Sequence, residues 1–219
     1  MRNITKTDAK VRFLLRHLRS LGIHAQRSHE NPLQEVGTRR PWWLWWLYWK
    51  NTKSLGLIQL DGTNIGYANI IVTISRPPPL SQYPIPVHYE SEEYRLEYLV
   101  VAREISSNLS RKTKVRKRLR HRLWGEVIDI HWRGGDLSEI LNGDPLLKEN
   151  LLAQCRENRK LGIEIVHEPT YECVRIKTRP AGMSSEYPSR NMFDCLDRIA
   201  GHVIKLPKRP QRNIPMYSC

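Results

Sequence analysis

RKTKVRKRLRHR, residues 111–122, is the stretch on which the reading of the fold turns. Eight of its twelve residues are basic: Arg111, Lys112, Lys114, Arg116, Lys117, Arg118, Arg120 and Arg122. Within it Val115 and Leu119 stand four residues apart, and Leu123 and Val127 continue the series. A series of that spacing reads as the apolar stripe of a helix whose other faces are basic. The expected helix runs from about residue 111 to 130.

Charge along the chain isolates this stretch further. The 219 residues carry a formal net charge of +14. Residues 91–180 hold 18 basic and 14 acidic side chains, and eight of those 18 lie between Arg111 and Arg122. Without them the segment would be acidic. Such asymmetry favours a positioned site for a polyanion over a diffusely basic surface.

Downstream, Asp136 with Glu139 reads as a capping box that opens a short helix, stopped at Asn142-Gly143. Asp144-Pro145 restarts a helix at once, with Asp at the cap and Pro at the first position. Leu147, Leu151 and Cys155 give its inner face, and Leu161-Gly162 ends it. Residues 163–167 and 172–178 alternate with period two and read as a hairpin. The order helix, short helix, turn, longer helix, hairpin resembles the winged helix-turn-helix in topology. That resemblance makes Lys148, Asn150, Arg156, Arg159 and Lys160 the polar side of a recognition helix, with Arg175, Lys177 and Arg179 on or beside the wing. It puts the strongest basic cluster on the helix behind, which suits phosphate contact rather than base reading.

Upstream, Val11, Leu14, Leu15, Leu18 and Leu21 mark an amphipathic helix over 8–21, stopped by Gly22 and followed by a short strand at 23–27. Leu55–Leu60 and Ile65–Ile74 flank Asp61-Gly62-Thr63-Asn64 and read as a hairpin. A second helix is expected over 91–107, with Tyr94, Tyr98 and Leu99 inward. A last one is expected over 192–200, with a strand at 203–206. Arg19-Ser-Leu-Gly-Ile23 is echoed by Arg159-Lys-Leu-Gly-Ile163, each leaving a helix for a strand.

The fold class that follows is α+β: an N-terminal helix plus β-hairpin unit, then a winged-helix-like helical unit with a C-terminal β-hairpin. Its expected parts are residues 1–76 with a Trp-rich insertion, a Pro-rich linker at 77–89, a basic domain at 90–180, and a helix with tail at 181–219.

PWWLWWLYWK, residues 41–50, holds five of the seven tryptophans. Trp42, Trp45, Trp46 and Trp49 would share one helical face, but the remaining positions are apolar too. The tract reads as core, as a membrane-interface foot flanked by Arg39, Arg40, Lys50 and Lys53, as a patch for a protein partner, or as a platform for base stacking.

No apolar run nears the roughly 20 residues of a membrane span, and the N-terminus has no signal-peptide core. Cys155, Cys173, Cys195 and Cys219 form no C-x-x-C pair, so neither a zinc ribbon nor a disulfide framework is expected. A reducing, cytoplasmic setting follows. Glu126, Asp129 and His131, and Glu164, His167 and Glu168, are the acidic and histidine clusters that metal or acid–base chemistry would need. Neither set shares one face of its expected element. Nucleotide-binding glycine motifs, G-x-S-x-G and H-E-x-x-H are absent. No catalytic residue, metal or cofactor is therefore assigned.

The functional expectation is a non-catalytic, basic nucleic-acid-binding protein, for DNA or RNA, making phosphate contacts through residues 111–122 with Lys148, Arg156, Arg159 and Lys160. The alternative is a peripheral membrane or complex-scaffolding protein anchored by the Trp42–Trp49 tract.

Overall fold

The structure, a computed structural model, describes residues 2–28, 49–76, 91–101, 112–121, 125–168, 173–179 and 187–206. Helix α1, Arg2–Ser20, buries Val11, Leu14 and Leu18 along one stripe. Its end is a Schellman turn: the Ile23 amide donates to Leu18 O, the Gly22 amide donates to Arg19 O, and Gly22 takes φ +76°. Ile23 is thereby folded back onto Leu18 in the core, and strand β1, His24–Arg27, follows.

Strands β2, Trp49–Asp61, and β3, Tyr67–Arg76, form the expected hairpin, longer than its apolar runs. The register shifts between Ser54 and Gly56. There the missing side chain matters: a Cβ on Gly56 would stand 3.3 Å from the Val11 methyl of α1.

Two expected helices are strands instead. Of the helix expected over 91–107, residues 102–107 lie outside the described residues, and Ser91–Val101 is strand β4, paired with β3. Its true pattern is alternation, with Tyr94, Leu96, Tyr98 and Val100 on one side and Glu93, Arg95, Glu97 and Leu99 on the other. The basic stretch folds as β5, Thr113–Leu119, and β6, Val127–Arg133, an antiparallel ribbon. Helix α2, Gly135–Asn142, forms, but its N-cap is Gly134 without a side-chain cap, and Asp136 lies in its first turn instead of capping it. Helix α3, Pro145–Glu157, falls where its capping residue puts it, and β7, Gly162–Glu168, and β8, Cys173–Arg179, form as expected. Asp144 caps α3 by accepting from the Leu147 amide at 3.0 Å. Helix α4, Arg190–Ile204, takes in Val203 and Ile204, so the strand expected at 203–206 does not form.

All eight strands join one antiparallel sheet in the order β1-β2-β3-β4-β8-β7-β5-β6. The α+β class holds. The helix–turn–helix–hairpin order survives over residues 135–179, but β8 pairs with β4 as well as β7, so the hairpin is interior sheet and not a free-standing wing. Strands from 49–76 and from 91–179 share this sheet. The linker at 77–89, the tail beyond 206, and Trp42, Trp45 and Trp46 lie outside the described residues. Trp49 opens β2.

The main core lies on one side of the sheet, and a smaller buried cluster of Leu57 and Leu99, with Tyr67 packed against it, lies on the other. Ala25, Ile58, Leu60, Ala68, Ile70, Tyr98, Val100, Val174, Ile176, Ile165 and Trp132 point to a single side of the sheet, against Leu14 and Leu18 of α1, Leu137 and Leu141 of α2, Leu147 and Leu151 of α3, and Phe193, Leu196 and Ile199 of α4. Every described helix lies on that side. The other side of the sheet is covered by no described element.

Candidate nucleic-acid interface

Strand alternation sends the partners of the core residues to this second face. Register aligns them into a row crossing the sheet: Leu57, Asn69, Glu97, Lys177, Glu164, Lys114 and Arg133, one from each strand from β2 to β6 in sheet order. From Glu97 to Lys114 the charges alternate in sign, the arrangement in which directly opposed side chains attract.

Glu164 is the anchor at the β5 end. It is buried, and it pairs with Lys112 at 2.6 Å, Lys114 at 3.6 Å and Arg179 at 3.7 Å. Burial raises its carboxyl pKa, but the hydrogen bond from Lys112 and the charges of Lys112, Lys114 and Lys177 outweigh that, and the net is below the usual Glu range. Burial in turn lowers the Lys177 ammonium pKa, helped by the Arg175 charge.

The middle of the sheet holds a second ionic centre. Glu97 is 0% exposed. It pairs with Arg175 at 3.2 Å, and Arg175 also donates to Glu168. Arg95 Nε comes within 3.5 Å of Glu97 Oε1, yet neither atom makes a hydrogen bond, nor does Arg175 Nε.

The basic stretch is divided by its strand. Lys114, Arg116 and Arg118 face the second side, with Lys112 just before them. Arg118 is 67% exposed and stands 4.0 Å from Asp129. Arg116 is exposed and has no acidic partner among the described residues. Lys117 turns to the helix side, where its ammonium donates to Arg159 O at the end of α3. Burial there lowers the Lys117 pKa. Arg120 begins the turn, its amide donating to Glu126 O. Arg111 and Arg122 lie outside the described residues.

The α3 candidates fare differently from one another. Lys148 reaches Asp129 at 2.9 Å and so joins the edge of the second face. The hydrogen bond from Lys148 is the main reason that the Asp129 carboxyl sits below the usual range. Arg156 donates to Val127 O and pairs with Glu126, bracing the ribbon from behind. Arg159 and Lys160 are exposed at the end of α3, away from the second face.

The second face also has cations that the charge run did not reveal. Arg133 donates from Nε to His131 Nε2 at 3.0 Å, and Arg95 comes from β4 while Arg175, Lys177 and Arg179 come from β8, far away in sequence. Their common signal was alternation with apolar residues, as in Arg175-Ile-Lys-Thr-Arg179.

The enzyme-like clusters come apart. Asp129 and His131 share a face of β6, but Glu126 precedes the strand and is engaged by Arg156. Glu164 and Glu168 face the second side while His167 stands opposite Val174 on the helix side. Among the described residues no group of three His, Cys, Asp or Glu is placed to hold a metal ion. Burial pushes the Cys173 and Cys195 thiols up to about 11, against nucleophilic use at neutral pH. A cavity of about 360 Å³ lies on the helix side, bounded by Ile70, Leu96, Tyr98, Met192 and Leu196, with Lys10, Arg95 and Glu157 also at its lining. Among the described residues no helix is long and apolar enough to cross a membrane.

No protein-family model, curated protein or solved structure matches the chain.

Proposed function

We propose that this chain binds nucleic acid on the second face of its sheet, chiefly through phosphate contacts. The observation that supports the reading most is the cation excess on that face between β4 and β6. Nine Lys and Arg stand there (Arg95, Lys112, Lys114, Arg116, Arg118, Arg133, Arg175, Lys177 and Arg179) against Glu93, Glu97, Glu164, Glu168 and Asp129. Glu97, Glu164 and Glu168 are drawn into pairs with Arg175, Lys112 and Lys114, whereas Arg116, Arg118 and Arg179 are exposed. A cluster of that kind attracts a polyanion by releasing its counterions, and the affinity must then fall with salt.

The site is a sheet face rather than a basic helix. The winged-helix order supports no groove-reading role for α3, since its Lys148 and Arg156 are occupied by Asp129 and Glu126. The membrane or scaffold reading rests on the Trp tract alone.

The experiment is a titration of labelled duplex DNA, duplex RNA and single strands across a salt series. Binding at low salt is expected, with log K falling linearly in log salt. Arg116→Gln and Arg118→Gln should each reduce the slope by about one if each holds a phosphate. Absence of binding at low salt, or an affinity unchanged in the double variant, overturns the reading.

A further inference from the structure

The β5–β6 ribbon has a shape that the rest of the face lacks. β5 pairs with β7 at Thr113 and Lys114, whereas its pairing with β6 continues to Leu119. Extending the β5–β7 register puts Arg116 level with Gly162, where β7 begins. Residues 117–119 and their β6 partners therefore run past the sheet as a two-stranded ribbon. One side of it rests on α3, through Lys117 to Arg159 O and Arg156 to Val127 O. The other side presents Arg118 opposite Asp129, Arg116 opposite His131, and Arg133 opposite Lys114 where the ribbon rejoins the sheet.

Dimensions decide what such a ribbon fits. Its two strands are about 4.8 Å apart, with side chains standing off one face. The major groove of B-form DNA is about 12 Å wide and admits a two-stranded ribbon, whereas its minor groove, at about 6 Å, does not. The major groove of an A-form RNA duplex is deep and narrow and closed to such an element. Single strands are held mainly by aromatic stacking, and the second face of the ribbon carries no Phe, Tyr or Trp at its described positions. Arginine forks suit both the guanine edge and phosphate. Two acids hold flanking cations in place: Glu164 holds Lys112 and Lys114, and Asp129 holds Lys148.

We infer that the nucleic acid is double-stranded DNA, and that the β5–β6 ribbon lies in its major groove with Lys112, Lys114 and Lys148 toward the flanking phosphates. This rests on the polyanion reading above and narrows it to one ligand and one groove.

The test uses the full chain and short duplexes of one mixed sequence, made as DNA and as RNA, followed by fluorescence anisotropy. The DNA duplex should bind at least about tenfold more tightly than the RNA duplex or either single strand. Methyl green, a major-groove ligand, should compete, and netropsin, a minor-groove ligand, should not. Arg116→Gln with Arg118→Gln should lose at least about tenfold in affinity for the DNA duplex, while Lys205→Gln, an equal loss of charge per site at the far end of α4, should leave it unchanged. The groove competition uses the unaltered protein, so it stands even if the double variant misfolds. Equal or tighter binding to the RNA duplex or to a single strand overturns the inference and leaves nucleic-acid binding intact. So does competition by netropsin with none by methyl green. Failure to bind any of the probes at low salt overturns both.

Discussion

Lys114 stands opposite Glu164 where β5 leaves the sheet, with 3.6 Å between ammonium and carboxylate. The same carboxylate holds Lys112 at 2.6 Å. Glu164→Gln should therefore act in two directions. Stability falls by about 1 kcal/mol, the scale of a hydrogen bond to a charged group discounted for the exposure of both lysines. Affinity for polyanions rises severalfold, because an anion leaves the face. Chemical denaturation and the anisotropy titration read the two effects separately. Because the folded Glu164 pKa is depressed, its contribution is present above about pH 4.3, the ordinary Glu value, and is lost as pH falls below it.

Glu97 and Arg175 form the buried pair at the sheet centre. Removing one partner leaves a charge without compensation, and the expected cost of Glu97→Ala is about 3–5 kcal/mol. Replacing both with leucine should cost less than that single change, since neither charge then needs solvation. Urea unfolding of the two variants decides it; a double variant less stable than Glu97→Ala would contradict this account.

Asp144 ties α3 to α4. Its carboxylate caps α3 and accepts from Arg198 and from His202 at 2.7 Å. The Arg198 hydrogen bond, above all, holds its pKa well below the carboxylate range, against the opposing effect of burial. Asp144→Ala should cost about 2–3 kcal/mol, combining the lost cap with the lost pair, and lower Tm by several degrees. The sign of the pH effect follows from the depressed pKa: the stabilisation holds above about pH 3.9 and is lost on further acidification. Thermal melts from pH 7 to pH 3 should show a shallower acid decline in Asp144→Asn than in the unaltered chain.

Gly134 turns the chain from β6 into α2 at φ +109°, and a Cβ there would meet Lys112 O at 2.1 Å. Thr113 Oγ1 donates to the Gly134 carbonyl at 2.6 Å in the same contact. Gly134→Ala should displace the start of β5 and cost at least about 2 kcal/mol, from backbone strain with the clash added. Because Lys112 and Lys114 move with that strand, DNA affinity should fall together with stability. A variant with unchanged melting and binding would sink this view of the junction.

The basic stretch shows why the sequence misled at one place and served at others. Val115, Leu119, Leu123 and Val127 are four residues apart. That spacing falls on one face of a helix and equally on one face of a strand, being twice the strand period. The residue that separates the two readings is Lys117: in the strand it shares the face of Val115 and Leu119, and it is tolerated there because α3 ends with a carbonyl within its reach. Nothing local announces that carbonyl. Tyr94 and Tyr98 share the same ambiguity, resolved by Leu96 and Val100. Capping residues, by contrast, act within one turn. Asp144-Pro145 and Gly22 placed their helix ends correctly because each satisfies or frees a neighbouring backbone group. Membership of the second face was the least legible, since Glu97, Lys177 and Glu164 meet only through pairings between three strands.

β8 is the last of the described strands in sequence, yet it sits in the interior of the sheet, between β4 and β7. Without β8, strands β1 to β4 would end at β4 and the β6-β5-β7 group would end at β7, two open borders in the interior of the sheet. Each border carries charge facing outward from the core: Glu93, Arg95 and Glu97 on one, Glu164 and Glu168 on the other. Charges of this kind discourage unfinished edges from joining a neighbouring chain. Arg175 and Lys177 of β8 set cations against both borders, and the pairing of β8 with β4 and β7 closes the sheet. The same charged row is thus suited both to guarding open borders and to latching them, and closure needs contacts between residues nearly eighty apart in sequence, such as Glu97 with Arg175.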